Sequence, residues 1–303
     1  VANSILIVGT GALASLFAAR LAAKGAAVTM LGTWPEGLAA LRRWGVTLVK
    51  ADGSQQSYPV TATNDPSVCA TKYALVLVKS WQTARAARQL AECLDPDGLA
   101  LTLQNGLGNR AVLAEALGEA RVALGVTTTG ATLLSSGRVR PGGEGVVSLG
   151  KHSRLQPLAE LLQGAGFEVE VLEDVDSLIW SKLVINAAIN PVTALLDVPN
   201  GELLVRPTAR QLSADLAREV AAVAETKNIK LTYPDPVAAA EGVAERTATN
   251  TSSMLQDIKR SAPTEIDAIC GAVVEAGEEL GVPTPANRAL WQLVKARVAN
   301  PVE

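Results

Sequence analysis

Aromatic side chains are scarce: Trp, Tyr and Phe together make up 3% of the 303 residues. Single-stranded nucleic acid is held by stacking bases on such rings, so the composition argues against that role. Positive charge is not in excess either. Lys and Arg number 27 against 30 Asp and Glu, and no basic stripe interrupts the balance, so no nucleic-acid partner is expected. One histidine, His152, rules out a multi-histidine cluster, and no metal is expected. It lies in the polar stretch Gly150-Lys-His-Ser-Arg154 and reads as a surface residue. Cys69, Cys93 and Cys270 are odd in number, far apart and without a Cys-x-x-Cys pair. That pattern suits reduced thiols in a cytoplasm better than a disulfide framework. Long apolar runs are missing as well. The apolar N-terminal stretch is broken by Gly9, Thr10 and Gly11, and meets Arg20 before a span of roughly 18 residues is complete. It also lacks the basic region of an export signal, so it reads as a buried strand and a helix, with no membrane partner.

Hydrophobic residues reach 48%, chiefly Ala, Val and Leu. Over this length they suffice for two packed cores. Ser4–Val8 is a β-branched run of the kind buried on both faces of a parallel sheet. A helical pattern, Ser15–Lys24, and a second strand, Ala27–Leu31, follow. Val46–Lys50 and Ser57–Thr61 flank Asp52-Gly53 as a hairpin would. Strands are expected at 74–78, 99–103, 121–127 and 168–171, with helices at 84–94, 109–117 and 155–162. The Gly-, Ser- and Val-rich stretch Gly130–Gly150 reads as antiparallel strands extending the sheet. After Glu173 only helical patterns remain: 177–189, 208–227, 236–247, 265–280 and 287–299. This order predicts an N-terminal Rossmann-type, doubly wound α/β domain, residues 1–173, and a C-terminal all-α domain, residues 174–303.

Gly9-x-Gly11-x-x-Ala14 follows the first strand and opens the first helix. In a dinucleotide fingerprint the first glycine makes the turn and the second admits the pyrophosphate. The third small residue lets helix and strand pack closely. Gly9, Thr10, Gly11, Ala12, Leu13 and Ala14 are therefore the cofactor-binding candidates. NAD enzymes place an acid at the end of the second strand for the ribose hydroxyl. Here Leu31-Gly-Thr-Trp34 stands there, with no acid before Glu36. That favours NADP(H), with Thr33, Arg42 or Arg43 to meet its extra phosphate.

Lys182, Asn186 and Asn190 recur every four residues in an otherwise apolar stretch ending at Pro191. On a helix they lie within about 80° of one another. Buried amides and ammonium groups need partners, which a polar ligand would supply. Pro191 is expected to end or kink the helix and expose Asn190 at a rim. Carbonyl reduction needs a hydride on carbon and a proton on oxygen. A desolvated lysine can donate that proton near neutral pH and stabilise the developing negative charge. A polar seam, with Lys182 reaching back to water, is the plainer explanation of the same pattern.

These residues, with Gly9-Thr-Gly-Ala-Leu13, Val78-Lys-Ser-Trp-Gln82, Gln104-Asn-Gly-Leu-Gly108, Pro199-Asn-Gly-Glu202, Asn250-Thr-Ser-Ser-Met-Leu-Gln-Asp257 and Thr264-Glu265, carry a resemblance over nearly the whole chain. The chain resembles the 2-dehydropantoate 2-reductase, or ketopantoate reductase, family. The resemblance implies reduction of 2-dehydropantoate, a small 2-keto acid, to (R)-pantoate with NADPH in pantothenate and coenzyme A biosynthesis. It implies Lys182 as proton donor, and Asn186, Asn190, Asn200, Asn250 and Ser253 as substrate contacts. Lys79, Asn105 and Ala131 would touch the cofactor, with Asn105 close enough to meet the substrate too. Glu265 would sit where cofactor and substrate meet, as a second catalytic group. Relatives that use NADPH commonly carry an Arg just after the second strand, where this chain has Gly32-Thr33-Trp34.

Plainer roles exist for several of these residues. Glu265 could belong to a capping box with Thr264 and Asp267, Asn105-Gly106 and Asn200-Gly201 are turn dipeptides, and Ser252 and Ser253 could cap a helix. Two further functions stay open on sequence: a reductase of another 2-keto acid, and a nicotinamide-binding sensor without catalysis. Monomer and homodimer are equally compatible with it.

Overall fold

A computed structural model describes residues 4–298. Its contacts divide the described residues into two compact units: residues 4–104 with 109–175, and residues 105–108 with 176–298.

The first unit is built on an eight-stranded sheet in the order β12-β11-β8-β7-β6-β1-β2-β5. Its strands are β1 (Ser4–Val8), β2 (Ala27–Leu31), β5 (Thr61–Thr63), β6 (Thr71–Val76), β7 (Leu94–Thr102), β8 (Val122–Thr127), β11 (Val146–Gly150) and β12 (Glu168–Leu172). All pair in parallel from β8 across to β5; β11 runs antiparallel to β8. β1 and β6 are buried because both faces are covered. Helices α1 (Ala12–Ala23) and α5 (Gln156–Gly164) pack on one face, and α3 (Thr83–Cys93) and α4 (Asn109–Leu117) on the other. From β1 the chain moves to β2 on one side and later to β6 on the other. That places a topological switch point at the carboxyl end of β1, where open α/β sheets bind ligands.

The stretch Gly130–Gly150 differs from the expectation. β9 (Gly130–Ser135) and β10 (Arg138–Gly143) leave the main sheet. With β3 (Val46–Val49) and β4 (Gln55–Tyr58) they form a separate sheet in the order β4-β3-β10-β9, which packs over α1. The cause is a long-range parallel pairing, Arg138 with Thr47 and Val139 with Leu48. Only β11 extends the main sheet. Helix α2 (Pro35–Trp44), between β2 and the β3–β4 hairpin, has apolar positions Leu38 and Leu41 buried in the same core. The three cysteines are free and buried, and burial pushes each thiol above its ordinary range.

The second unit is helical: α6 (Asp176–Leu196), α7 (Glu202–Val205), α8 (Pro207–Thr226), α9 (Pro236–Arg246), α10 (Ser253–Lys259), α11 (Ala272–Leu280) and α12 (Pro285–Arg297). A single π-turn, Asp267–Gly271, precedes α11. α6 is the central helix, packed by α8, α9, α10 and α12. Contrary to expectation, it neither ends at Pro191 nor exposes Asn190. It continues to Leu196, and Asn190 is only 8% exposed. A proline ring denies the Ala187 carbonyl its N–H partner, which ordinarily breaks a helix. Here the surrounding helices hold the turn, and Ser213 Oγ of α8 donates to the neighbouring Ala188 carbonyl at 2.8 Å. At 21 residues α6 is therefore long and apolar enough to cross a membrane by length and composition, which the sequence reading did not anticipate. It is instead the core helix of this unit.

Candidate active site

In the first unit the turn after β1 is shaped by contact with the segment that follows β6. Gly9 has φ +133°, and a Cβ there would lie 3.0 Å from the Leu77 carbonyl oxygen, so only glycine fits without strain. Gly11 is different: a Cβ there would meet nothing within 4 Å. The protein's own packing does not require that glycine, which leaves the space in front of the α1 N-terminus open. Thr10 is buried under Gly32, where a Cβ would be 2.6 Å from Thr10 Cγ2. Ala14 is fully buried where α1 crosses the sheet, and Leu13 and Ala131 of β9 pack against one core. Ala12 opens α1. Lys79 follows β6, at the start of a 3-10 turn over Ser80–Gln82. Gln104 Nε2 donates to the Val78 carbonyl at 3.0 Å and to Thr83 Oγ1 at 2.8 Å, which holds that turn.

A cleft opens at the carboxyl ends of β1 and β2. Gly9, Thr10, Gly32, Thr33, Trp34 and Arg85 are among its lining residues, and none of them is an acid. The two arginines suggested by sequence are absent from that lining. Arg42 Nε donates to the Ala62 carbonyl at 2.8 Å, and the Arg43 guanidinium lies over the Trp44 ring. Arg85 is the lining residue that sequence reasoning missed. It lies far along the chain from β2, and no local pattern links the two.

In the second unit, the continuity of α6 puts Lys182, Asn186 and Asn190 on successive turns of one helix. Lys182 and Asn186 are half-buried. Burial of the Lys182 amine pulls its pKa from 10.5 down to about 8, and the nearby charge of Glu265 opposes part of that shift. Glu265, 4% exposed, accepts from Asn105 Nδ2 at 3.4 Å. Lys182, Glu265 and Asn105 are thus brought together from three distant stretches of sequence. Asn105 is held because Leu107 N donates to the Ala268 carbonyl at 2.9 Å and Gly106 lies flush against Ala268. Thr264 Oγ1 accepts from Ile266 N at 3.4 Å, at the start of the π-turn that follows Glu265. Asp267 accepts from Trp291 Nε1 and Lys295 Nζ, at 2.6 and 2.9 Å.

The other candidates form a second group. Asn200 N donates to the Asn250 carbonyl at 3.0 Å, and Asn200 Nδ2 to Thr247 Oγ1 at 2.9 Å. Asn200 Oδ1 is buried without a hydrogen-bond partner among the described residues. Asn250 and Ser253 are exposed. The cap of α10 is Ser252, which accepts from Leu255 N at 3.2 Å and shares a 2.8 Å hydrogen bond with Thr193 of α6. That contact fixes the start of α10 beside the turn of α6 that follows Asn190. The Asn186 and Asn190 amides make no side-chain hydrogen bond to any described residue, so they are available to a ligand.

Comparison with known proteins identifies the family. The model of "Ketopantoate reductase PanE/ApbA" matches residues 5–154, and that of its C-terminal part matches residues 174–298. The chain belongs to the ketopantoate reductase family. It is therefore one of a family of oxidoreductases. The 2-dehydropantoate 2-reductase of Halobacterium salinarum is 37% identical over 297 residues, covering 96% of this chain and 97% of that protein. The enzyme of the same name from Archaeoglobus fulgidus is 35% identical, covering 96% of each. Among solved structures, a PanE/ApbA family ketopantoate reductase from Ralstonia eutropha is similar at a TM-score of 0.90, with 32% identity over 97% of this chain and 98% of that one. A D-mandelate dehydrogenase in a ternary structure with NADH and anilino(oxo)acetate is similar at 0.89, with 27% identity over 97% and 98%.

Proposed function

We propose that this chain reduces 2-dehydropantoate to (R)-pantoate with NADPH, as one step of pantothenate and coenzyme A biosynthesis. The observation that carries the reading is Lys182, an amine brought by burial to about 8 beside the charge of Glu265, with the Asn186 and Asn190 amides on the next turns of its helix. The turn Gly9–Ala14 fits a dinucleotide. Its second glycine leaves space that no protein atom fills, and free N–H groups at a helix start attract phosphate. Gly9, Thr10, Gly11, Ala12, Leu13 and Ala14, with Lys79 and Ala131, would hold the cofactor. When bound, the cofactor supplies the hydride that the ketone carbon receives.

The remaining chemistry belongs to the chain. Lys182 Nζ gives its proton to the ketone oxygen as negative charge builds there, and takes a replacement from water afterwards. Glu265 orients the Lys182 ammonium, and Asn105 orients Glu265. Asn186 and Asn190 donate to the substrate's carboxylate or hydroxyl, and Asn200, Asn250 and Ser253 take the polar groups farther from the ketone. Neutral donors suit this role because they bind an anion without lowering the lysine further.

The test follows loss of NADPH absorbance with 2-dehydropantoate and a panel of other 2-keto acids. The expected result is highest kcat/KM with 2-dehydropantoate. The likeness to a D-mandelate dehydrogenase gives the second reading, a different 2-keto acid with NADH. A higher kcat/KM for an aromatic 2-keto acid with NADH would replace the first reading by the second.

A further inference from the structure

We propose that Arg85 recognises the 2′-phosphate of NADPH and sets the chain's choice between the two nicotinamide cofactors; the inference rests on the dinucleotide reading above. Discrimination between them needs either a carboxylate for the ribose hydroxyl or a cation for the phosphate. The end of β2 holds neither: Leu31-Gly-Thr-Trp34 is uncharged. The arginines next along the chain are engaged elsewhere, Arg42 on the Ala62 carbonyl and Arg43 over Trp44.

Arg85 comes instead from the first turn of α3 and lines the same cleft as Gly9, Thr10, Gly32, Thr33 and Trp34. It is half-buried, and it forms no ion pair or hydrogen bond with any described residue. The cleft lining offers it no counter-charge, since it contains no Asp or Glu. Its place is unfavourable on local grounds too. The first turn of α3 has no acid, and the positive end of a helix dipole repels a cation. A half-buried guanidinium with no partner, at a helix start and in an acid-free cleft, is stabilised by an anion between it and the helix. A phosphate monoester is the anion that a guanidinium fork fits best, through two parallel N–H···O bonds. The hydroxyls of Thr10 and Thr33 in the same lining would complete its contacts.

The test uses adenosine fragments, so that it reads binding without turnover. The full chain is titrated calorimetrically with 2′,5′-ADP and with 5′-AMP, alongside Arg85→Gln and Arg85→Lys. The wild-type chain is expected to bind 2′,5′-ADP at least about tenfold more tightly than 5′-AMP, with the ratio shrinking as salt rises. Arg85→Gln should bind the two within about twofold of each other, and Arg85→Lys should fall between. A wild-type ratio retained in Arg85→Gln would overturn the assignment while leaving the NADPH reading intact. Loss of both nucleotides in Arg85→Gln, with its thermal midpoint unchanged, would also overturn it, because the residue would then shape the cleft rather than read a phosphate. A wild-type chain that binds both fragments alike would overturn the NADPH reading itself, and this inference with it.

Discussion

The Lys182 ammonium has an ordinary value of 10.5 and is brought to about 8 by burial. Holding it charged at neutral pH costs the folded chain about 3 kcal/mol, at roughly 1.4 kcal/mol per pH unit. The sign follows from proton counting. Between about pH 8 and 10.5 the unfolded chain keeps a proton that the folded chain has released, so this penalty is complete below pH 8 and fades as pH rises towards 10.5. Lys182→Met should therefore raise stability at pH 7 by up to about 3 kcal/mol, with a smaller gain at pH 10, as read by urea unfolding. Turnover should fall by about 10²–10⁴-fold. A less stable variant with near-normal turnover would remove Lys182 from the chemistry. A second consequence concerns rate. Only the protonated amine can donate, so kcat for ketone reduction should decline as pH rises through about 8, tenfold per unit beyond it. A profile flat to pH 10 would contradict this.

At the scale of elements, the β1–turn–α1 unit separates what folding requires from what a ligand requires. Gly9 has a positive φ and lies against the Leu77 backbone, whereas Gly11 has an ordinary φ of −79° and open space around it. Gly9→Ala should cost about 1–3 kcal/mol of stability. Gly11→Ala should change stability by less than about 1 kcal/mol and weaken dinucleotide binding at least about tenfold. Thermal unfolding and cofactor titration of both variants would check the contrast. It fails if Gly11→Ala binds cofactor as the parent does. Helix α6 makes a related point. Pro191 in isolation predicts a break, because sequence shows the missing N–H but not the packing that keeps the helix whole.

At the scale of the whole molecule, residues 105–108 lie in sequence between β7 and α4 of the sheet unit, yet their contacts are with the helical unit. Gly106 has φ +79°, and a Cβ there would be 2.4 Å from the Ala268 carbonyl oxygen. Gly106→Ala should therefore destabilise the helical unit by about 2 kcal/mol or more, followed through Trp180 and Trp291 fluorescence. It should also lower turnover, because Asn105 would lose its hold on Glu265. An unchanged unfolding midpoint would show that the segment is not bound as described.

What was legible in the sequence was local. β2 spans Ala27–Leu31 and α4 spans Asn109–Leu117, the bounds that the sequence pattern predicts. The fingerprint glycines and the four-residue spacing of Lys182, Asn186 and Asn190 were likewise visible, because turn geometry and helix period act over a few residues. The rest depended on partners far along the chain. Arg138 pairs with Thr47 and draws two strands into a second sheet. Glu265 comes to Asn105 across 160 positions, and Arg85 reaches a cleft walled by the ends of β1 and β2. Periodicity carries no information about such meetings. They are decided by which surfaces exclude water together, and the same burial lowers the Lys182 amine far enough to give up its proton near neutral pH.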